Sequence, residues 1–291
     1  MCQPMTFSPV IAGTMTWGVW GKNFSSAEMS LLIQHCVDLG ITSFDHADIY
    51  GDYSTESAFG NALKESELPR EKIQLISKCG IQLQGGVRNN PIKHYDYSKK
   101  YIVQSVEQSL VNLQTDYLDL FLLHRPSPLM QPEEIAAAVD SLQQQGKIID
   151  FGVSNFTPSQ TDLLQTAIKV KYNQIEFSLA YTDAMTDGRL DHMQIHHIQP
   201  MSWAPLGKVF TENNERAERI KEAINLLAIQ YEVSVAAILI SWIMKHPAQI
   251  LPVFGTTDKE SVRQMKKATE VQLSNEDWFM LWSASMGHPV P

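Results

Sequence analysis

Eight short apolar runs, rich in β-branched residues and alternating with helix-forming stretches, constrain this chain more than any other feature. They are PVIAGTM (9–15), ITSFDHA (41–47), KIQLISK (72–78), YLDLFLLH (117–124), IIDFGVS (148–154), YNQIEF (172–177), PMSWAP (200–205) and ILPVFGT (250–256). Near-continuous apolar strands are those buried on both faces, and their alternation with helices is the signature of a parallel α/β sheet. The helix signals are local chemistry. Ser25-Ser26-Ala27-Glu28 reads as a capping box and Gly40 as a stop. A helix from near Ser98 carries Ile102, Val106, Leu110 and Leu113 on one stripe. Pro132, with Glu133 and Glu134 beside it, opens another that ends at Gly146, and Thr157-Pro158 opens a further one. Two long helices are expected over about 213–231 and 234–245, and a last one over about 274–285 carrying Trp278, Phe279, Leu281 and Trp282, packed on the barrel or its mouth.

A length of 291 residues suits either two ordinary domains or one α/β barrel, and no break in composition separates two domains. Two segments, 79–97 and 206–214, exceed what a minimal barrel needs; both follow strands, which puts them on the catalytic face. A net charge of −9, from 23 basic against 32 acidic residues, argues against a nucleic-acid partner, since phosphate binding needs the opposite balance and no basic run is longer than Lys266-Lys267. Cys2, Cys36 and Cys79 are odd in number and lack CxxC spacing, so no disulfide framework is expected and a reducing compartment suits the chain. The start, MCQPMTFSPV, lacks the pattern of a signal peptide, and no run approaches the ~20 apolar residues of a membrane span. The expectation is a cytoplasmic protein with no membrane partner.

Asp45, Tyr50, Lys78 and His124 each stand at or just past the downstream end of an apolar run, and in a barrel of parallel strands that end carries the chemistry. A tyrosine with a lysine, an aspartate and a histidine is a proton-donating set, suited to hydride addition or removal at a carbonyl. A free tyrosine has a pKa of ~10, so efficient proton donation near neutrality calls for a downward shift of about 2 to 3 units. An ammonium ~4 Å away supplies about that much at an effective dielectric of ~20. Lys78 is the candidate, with Asp45 holding it charged and in place and His124 donating a hydrogen bond to the substrate oxygen. The plain alternative is an ordinary Asp45–Lys78 ion pair, a loop aromatic and a core histidine. Against it stands position, because a structural chain more cheaply places small or apolar groups directly after LIS and LFLL.

The runs GITSFDHADIYG, LISK, LDLFLLHRP, GKIIDFGVSNF, the Gln174-Ile175-Glu176 stretch and Pro252-Val253-Phe254-Gly255-Thr256-Thr257, with a short tail from Gly287 to Pro291, resemble the aldo-keto reductases in order over nearly the whole chain. The likeness is strongest to a bacterial branch of general oxidoreductases carrying FDHADIYG and HRP. The resemblance implies a single-domain (β/α)8 TIM barrel over residues 1–291 that binds NADPH, with NADH possible, and reduces a small-molecule aldehyde or ketone. Asp45, Tyr50, Lys78 and His124 would be its catalytic tetrad. It implies that Gly13, Thr14 and Met15 border the nicotinamide and that Ser154, Asn155 and Gln174 bond its carboxamide. Trp203 would stack on the ring, with Ala204, Pro205, Leu206 and Gly207 continuing toward the pyrophosphate, and Gly255, Thr256, Thr257, Gln264 and Met265 would meet the adenosine. The arginine usual for the 2′-phosphate falls at Ser261 and an often basic position at Asp258, leaving Lys259 and Arg263 as substitutes; an anion needs charge-assisted donors, which weakens the NADPH preference. His46, where the motif more often has threonine, is expected in a core or supporting role, and Trp17, Trp20, Tyr53, Tyr95 and Tyr97 near the mouth.

Other signals carry less. His192 and His196 have the i, i+4 spacing of a zinc pair, but Met193 replaces the glutamate of HExxH, so a polar helix face is the better reading and no metal is expected. There is no GxGxxG after a strand, no GxxxxGK[ST] and no GxSxG. Cys79, next to Lys78, is a candidate redox-sensitive thiol unless it points away. The competing function is a cofactor-binding redox sensor or auxiliary subunit on the same barrel with little turnover; a metal-dependent hydrolase is disfavoured, and no oligomeric partner is legible.

Overall fold

The computed structural model describes residues 7–290; Cys2, the opening residues of MCQPMTFSPV and Pro291 at the end of the tail lie outside the described residues. Each of the eight apolar runs forms one strand. These are β1 (Ile11–Gly13), β2 (Ser43–Asp45), β3 (Gln74–Cys79), β6 (Leu118–Leu123), β7 (Ile148–Ser154), β8 (Tyr172–Glu176), β9 (Gln199–Trp203) and β10 (Leu251–Phe254). They close into a barrel in the order β1-β10-β9-β8-β7-β6-β3-β2. Between β3 and β6, the 79–97 segment that exceeds a minimal barrel holds a two-stranded hairpin, β4 (Ile81–Gln82) with β5 (His94–Tyr95), paired antiparallel. Two-residue strands are too short for a sequence period, so only the partner strand reveals them.

The chain divides into two compact units, Met1–Asn173 and Gln174–Pro291. In the first, β2 pairs parallel with β1 and β3, β3 with β6, and β6 with β7. The helices here are α1 (Ser26–Asp38), α2 (Thr55–Ser66), α3 (Lys99–Leu113), α4 (Pro132–Gln144) and α5 (Pro158–Gln165). Ser25 and Glu28 make the expected reciprocal capping box, Thr157 and Gln160 make a second, and Ser98 caps α3 with Ile102, Val106, Leu110 and Leu113 all buried. Such caps satisfy amide groups that the first turn leaves unpaired. Helix α2 is harder to read because Gly60 sits in its middle, and glycine weakens a helix. Its place is steric: a Cβ at Gly60 would stand 2.1 Å from the Asn112 carbonyl oxygen of α3.

The second unit holds α6 (Arg189–Ile195), α7 (Glu215–Gln230), α8 (Val235–Met244), α9 (Lys259–Lys267) and α10 (Asn275–Met286), with β9 and β10 paired parallel. The terminal helix α10 packs on helices α7 and α8. Trp278 stacks on Trp242 at 5.0 Å, and each indole N–H donates to the other residue's carbonyl, at 3.1 and 3.0 Å. Arg216 and Arg219 of α7 donate to the Ser285 and Ala284 carbonyls, capping the last turn of α10. No single described helix is long and apolar enough to cross a membrane.

Candidate active site

All four strand-end residues of the proton-donating set lie in the first unit, and three of them meet around one ammonium group. Lys78, on β3, is 1% exposed and Asp45, the last residue of β2, 3%. Lys78 Nζ donates to Asp45 Oδ2 at 2.7 Å, to the His46 carbonyl at 2.7 Å and to Tyr50 Oη at 3.2 Å. An ammonium has three protons, and each has a partner here. Parallel pairing of β2 with β3 brings this about: Asp45 is opposite Ile76, so Lys78, one further inward-facing position along, reaches across the end of β2. Tyr50 follows in the turn after β2, and its ring meets that of His124 edge-on at 6.0 Å.

The electrostatics of the site follow from burial. Burial opposes the Lys78 charge, but Asp45 and Tyr50 outweigh it and hold its pKa above the ordinary lysine value. For Tyr50 burial also leads and raises the phenol, with Lys78 opposing it only in part. The sequence-based expectation of a lowered tyrosine is therefore corrected: the ammonium is as close as supposed, but enclosure favours the neutral phenol more strongly. Burial, then Lys78 and Arg125, push His124 well below the ordinary histidine range, so it is neutral at physiological pH.

A second polar layer lies behind the tetrad. His46 is fully buried, its Nδ1 2.9 Å from Thr14 Oγ1 and its ring 4.3 Å from that of Phe59, and burial with Lys78 lowers its pKa to about 3. It lies against Thr14 just past the end of β1, a buried supporting position. Asp48 and Glu56 are also buried. Glu56 accepts from the Ser77 hydroxyl at 2.6 Å, while Asp48 Oδ2 accepts from Tyr101 Oη and Ser105 Oγ at 3.0 and 3.1 Å and its Oδ1 has no partner. Burial first and the Glu56 carboxylate second raise Asp48 to about 7. Sequence reasoning missed this pair; its only signal was Asp48 within DHADIYG, since Glu56 lies beyond that motif on α2.

A raised carboxyl pKa means that the folded chain keeps a proton the unfolded chain releases. The Asp48 contribution to stability is thus complete below about pH 4 and lost as the pH rises to about 7. Asp48→Asn is expected to gain stability relative to the parent across that window, by up to roughly 4 kcal/mol at its upper end. Urea unfolding of both proteins at stepped pH checks this; a difference independent of pH would refute it.

Several expected mouth residues are elsewhere. Trp17 is fully buried against Phe44 and Phe59, a core residue. Tyr97 is 6% exposed, and its hydroxyl donates to the Arg125 carbonyl and accepts from the Arg125 amide. Gly80, at φ 113°, lets this ring pass, since a Cβ would lie 2.1 Å from it. Trp20 does stand at the site, 44% exposed with its ring 6.4 Å from Tyr50. Tyr53 and Tyr95 pack with Tyr50 on the cluster of Ala47, Ile49 and Ile81. Cys79 is buried, and burial with the Asp48 charge pushes its thiol well above the usual range, which removes it as a reactive thiol.

The expected cofactor residues fall in both units. In the first, Gly13 ends β1, Thr14 is fully buried, Met15 is 47% exposed, and Asn155 Nδ2 donates to Ser154 Oγ at 2.8 Å just past β7. In the second, Gln174 is buried on β8 and Trp203 half-buried at the end of β9. The chain then turns at Ala204, φ 49°, and Gly207, φ 56°, with Pro205 buried and Leu206 half-buried between them. Gly255 is exposed and Thr256 and Thr257 half-buried before α9; Lys259 and Arg263 are exposed, Gln264 half-buried and Met265 a buried packing residue. In the first unit a serine–asparagine pair suits a carboxamide; in the second, taken by itself, a half-buried indole suits a flat ring. The α9 end is less suited to an extra phosphate. Asp258 caps the helix, accepting from the Ser261 amide and hydroxyl, and Arg263 is paired with Glu260 at 2.5 Å. On α6, His192 and His196 come together with ring centroids 4.3 Å apart.

A parallel barrel with a buried lysine and aspartate, a half-buried tyrosine and a neutral histidine at the strand ends defines an oxidoreductase of the aldo/keto reductase type. The profile of the Aldo/keto reductase family matches residues 9–285, and the chain belongs to that family. It is 42% identical to YcsN of Bacillus subtilis, an oxidoreductase described as uncharacterized, over 100% of this chain and 98% of that one. It is 37% identical to a 6-dehydroglucose reductase of Agrobacterium fabrum over 95% of each. Among solved structures, the thermostable aldo-keto reductase Tm1743, in complex with the inhibitor epalrestat, superposes with a TM-score of 0.80 at 27% identity, covering 95% of this chain and 94% of that one. Family membership carries carbonyl reduction with a nicotinamide cofactor in general terms.

Proposed function

We propose that this chain reduces aldehydes or ketones to alcohols with NADPH as preferred donor and NADH accepted, Tyr50 acting as the general acid. The observation that carries the reading is the Lys78 ammonium, fully engaged by Asp45, the His46 carbonyl and Tyr50 Oη. Because Tyr50 accepts from Lys78, its own hydroxyl hydrogen is directed elsewhere, free to bond a substrate oxygen. Lys78, held charged by Asp45, stabilises the negative charge left on that phenol oxygen as its proton departs. His124 Nδ1 is buried without a partner; an unmet acceptor costs less than an unmet N–H, which favours the proton on Nε2, where it can orient the carbonyl. Bound nicotinamide supplies the hydride. Trp20 gives the substrate a partly apolar wall.

In the first unit Ser154 and Asn155 would bond the nicotinamide carboxamide; in the second, Lys259 would serve the adenosine end with Arg263, whose engagement by Glu260 keeps the preference for a 2′-phosphate modest. One relative is named for an oxidised sugar, so carbonyl-bearing sugars belong in the substrate class. The test is oxidation of NADPH and of NADH against a panel of aldehydes, ketones, quinones and oxidised sugars. Turnover with at least one of them is expected, faster with NADPH. No carbonyl-dependent oxidation would overturn the reading, and equal affinity for both dinucleotides would end the NADPH preference.

A further inference from the structure

We propose that Arg88, carried on the β4–β5 loop, is a positioning residue for Tyr50: it braces from outside the left-handed turn on which that side chain is mounted. This rests on the reading of Tyr50 as the proton donor. Three consecutive residues after Tyr50 have positive φ: Gly51 at 60°, Asp52 at 52° and Tyr53 at 68°. Glycine takes that conformation freely and aspartate tolerates it, but for a bulky aromatic it is unfavourable and persists only where the surroundings over-determine it. The turn also fixes Tyr50 itself. The amides of Ser54 and Thr55 both donate to the Tyr50 carbonyl, at 3.2 and 3.1 Å, so relaxation of residues 51–53 moves the peptide that bears the phenol.

Tyr53 also packs on Ala47, Ile49 and Ile81 and the Ser54 hydroxyl donates to the Gly51 carbonyl at 2.6 Å, and the loop adds the outer support. The Arg88 guanidinium carbon lies 3.9 Å from the centroid of the Tyr53 ring, a stacked cation–π contact. The Val87 amide donates to Asp52 Oδ2 at 3.0 Å. Arg88 is anchored in turn, Nη1 donating to Tyr101 Oη at 2.8 Å and to Gln82 Oε1 at 3.2 Å, and Tyr101 Oη donating to Asp48 Oδ2 at 3.0 Å. The chain of contacts therefore runs from α3 and the end of β2 through Arg88 to the turn. Its guanidinium is placed between Tyr53 and Tyr101, whose centroid is 5.5 Å away, so it acts through Tyr53 and not by touching a reacting atom. A proton donor 3.2 Å from its ammonium partner tolerates little drift, since a misplacement of about 1 Å can cost about 100-fold. Beneath the guanidinium is a cavity of ≈ 170 Å³ lined by Asp48, Tyr53, Glu56, Arg88 and Ser105, which gives a free guanidinium ion room to enter once the side chain is gone.

The test compares Arg88→Ala, Arg88→Lys, Tyr50→Phe and the double substitution Tyr50→Phe/Arg88→Ala in the full chain, reading kcat for an aldehyde the parent reduces and, separately, the Kd for NADPH by fluorescence. Arg88→Ala is expected to lose roughly 100-fold in kcat with its NADPH Kd unchanged. Millimolar guanidinium chloride should restore much of the loss where equal sodium chloride or urea does not. Arg88→Lys, which has no planar face to stack, should stay impaired. In the Tyr50→Phe background the same change should cost nothing further, because the residue acts through the phenol. A parental kcat in Arg88→Ala, absence of guanidinium rescue, or an equal loss in the Tyr50→Phe background would overturn the proposal. If the alanine variant does not fold, a folded Arg88→Lys enzyme with parental kcat overturns it as well. Full activity in Tyr50→Phe alone would instead remove the assignment of the proton donor, whatever Arg88 does.

Discussion

With Tyr50 as the proposed proton donor, Tyr50→Phe is expected to lower kcat for carbonyl reduction by about 10²–10⁴-fold, the range for loss of a positioned general acid, and to leave the NADPH Kd unchanged. The substitution removes one oxygen from a ring whose packing on Ala47, Ile49 and Ile81 is otherwise kept, so stability should change little. The pH dependence separates the chemistry from any packing effect. Burial holds Tyr50 above the ordinary tyrosine value, so the proton-bearing form needed for reduction is present throughout the neutral range. The parent's reduction rate is therefore expected to be level across it. On the same assignment alcohol oxidation needs the deprotonated phenol and is expected to climb as the pH rises toward that elevated pKa. Both directions, followed through the absorbance of the reduced cofactor over a pH series, check the assignment. A phenylalanine variant that keeps the rising oxidation limb would mean that another group titrates there.

Asp45→Asn is expected to cost about 3–5 kcal/mol of folding stability, because it leaves a buried ammonium without its counter-charge. The pair is enclosed, with side-chain exposures of 0% for Lys78 and 4% for Asp45 at 2.7 Å. Solvent screening cannot soften the loss as it would at the surface. Asp45 is also a leading cause raising the Lys78 pKa against burial, so its removal draws that pKa down and weakens support for the departing Tyr50 proton. Activity and stability should fall together in Asp45→Asn. They should separate in Asp45→Asn/Lys78→Met, which removes the stranded charge, regains much of the stability and remains inactive. Urea unfolding alongside kcat measures both; a single variant as stable as the parent would show that the ammonium finds another partner.

How far the sequence can be read depends on the range of the interactions concerned. The strands were legible because burial on both faces forces apolar residues into consecutive positions, and α1, α3 and α5 because Ser25, Ser98 and Thr157 bond amides only a few residues away. Helix α2 and the β4–β5 hairpin were not, since Gly60 answers to a carbonyl of α3 and Ile81 to Tyr95. Trp17 read as a residue near the mouth; only the packing of Phe44 and Phe59 around it shows a core residue.

For the site, the sequence by itself determined which residues stand at strand ends, and therefore that Asp45, Tyr50, Lys78 and His124 would be candidates for one centre. It also determined family membership, through motifs spread along the chain. Only the tertiary structure decided the balance of forces there. The sign of the Tyr50 shift depends on whether enclosure or Lys78 dominates, the state of Asp48 on the nearby Glu56, and the bracing of the Tyr50 turn on Arg88 from a distant loop. A strand's periodicity is a property of neighbours along the chain, whereas desolvation and charge pairing depend on neighbours in space, and those come together only once the barrel has closed.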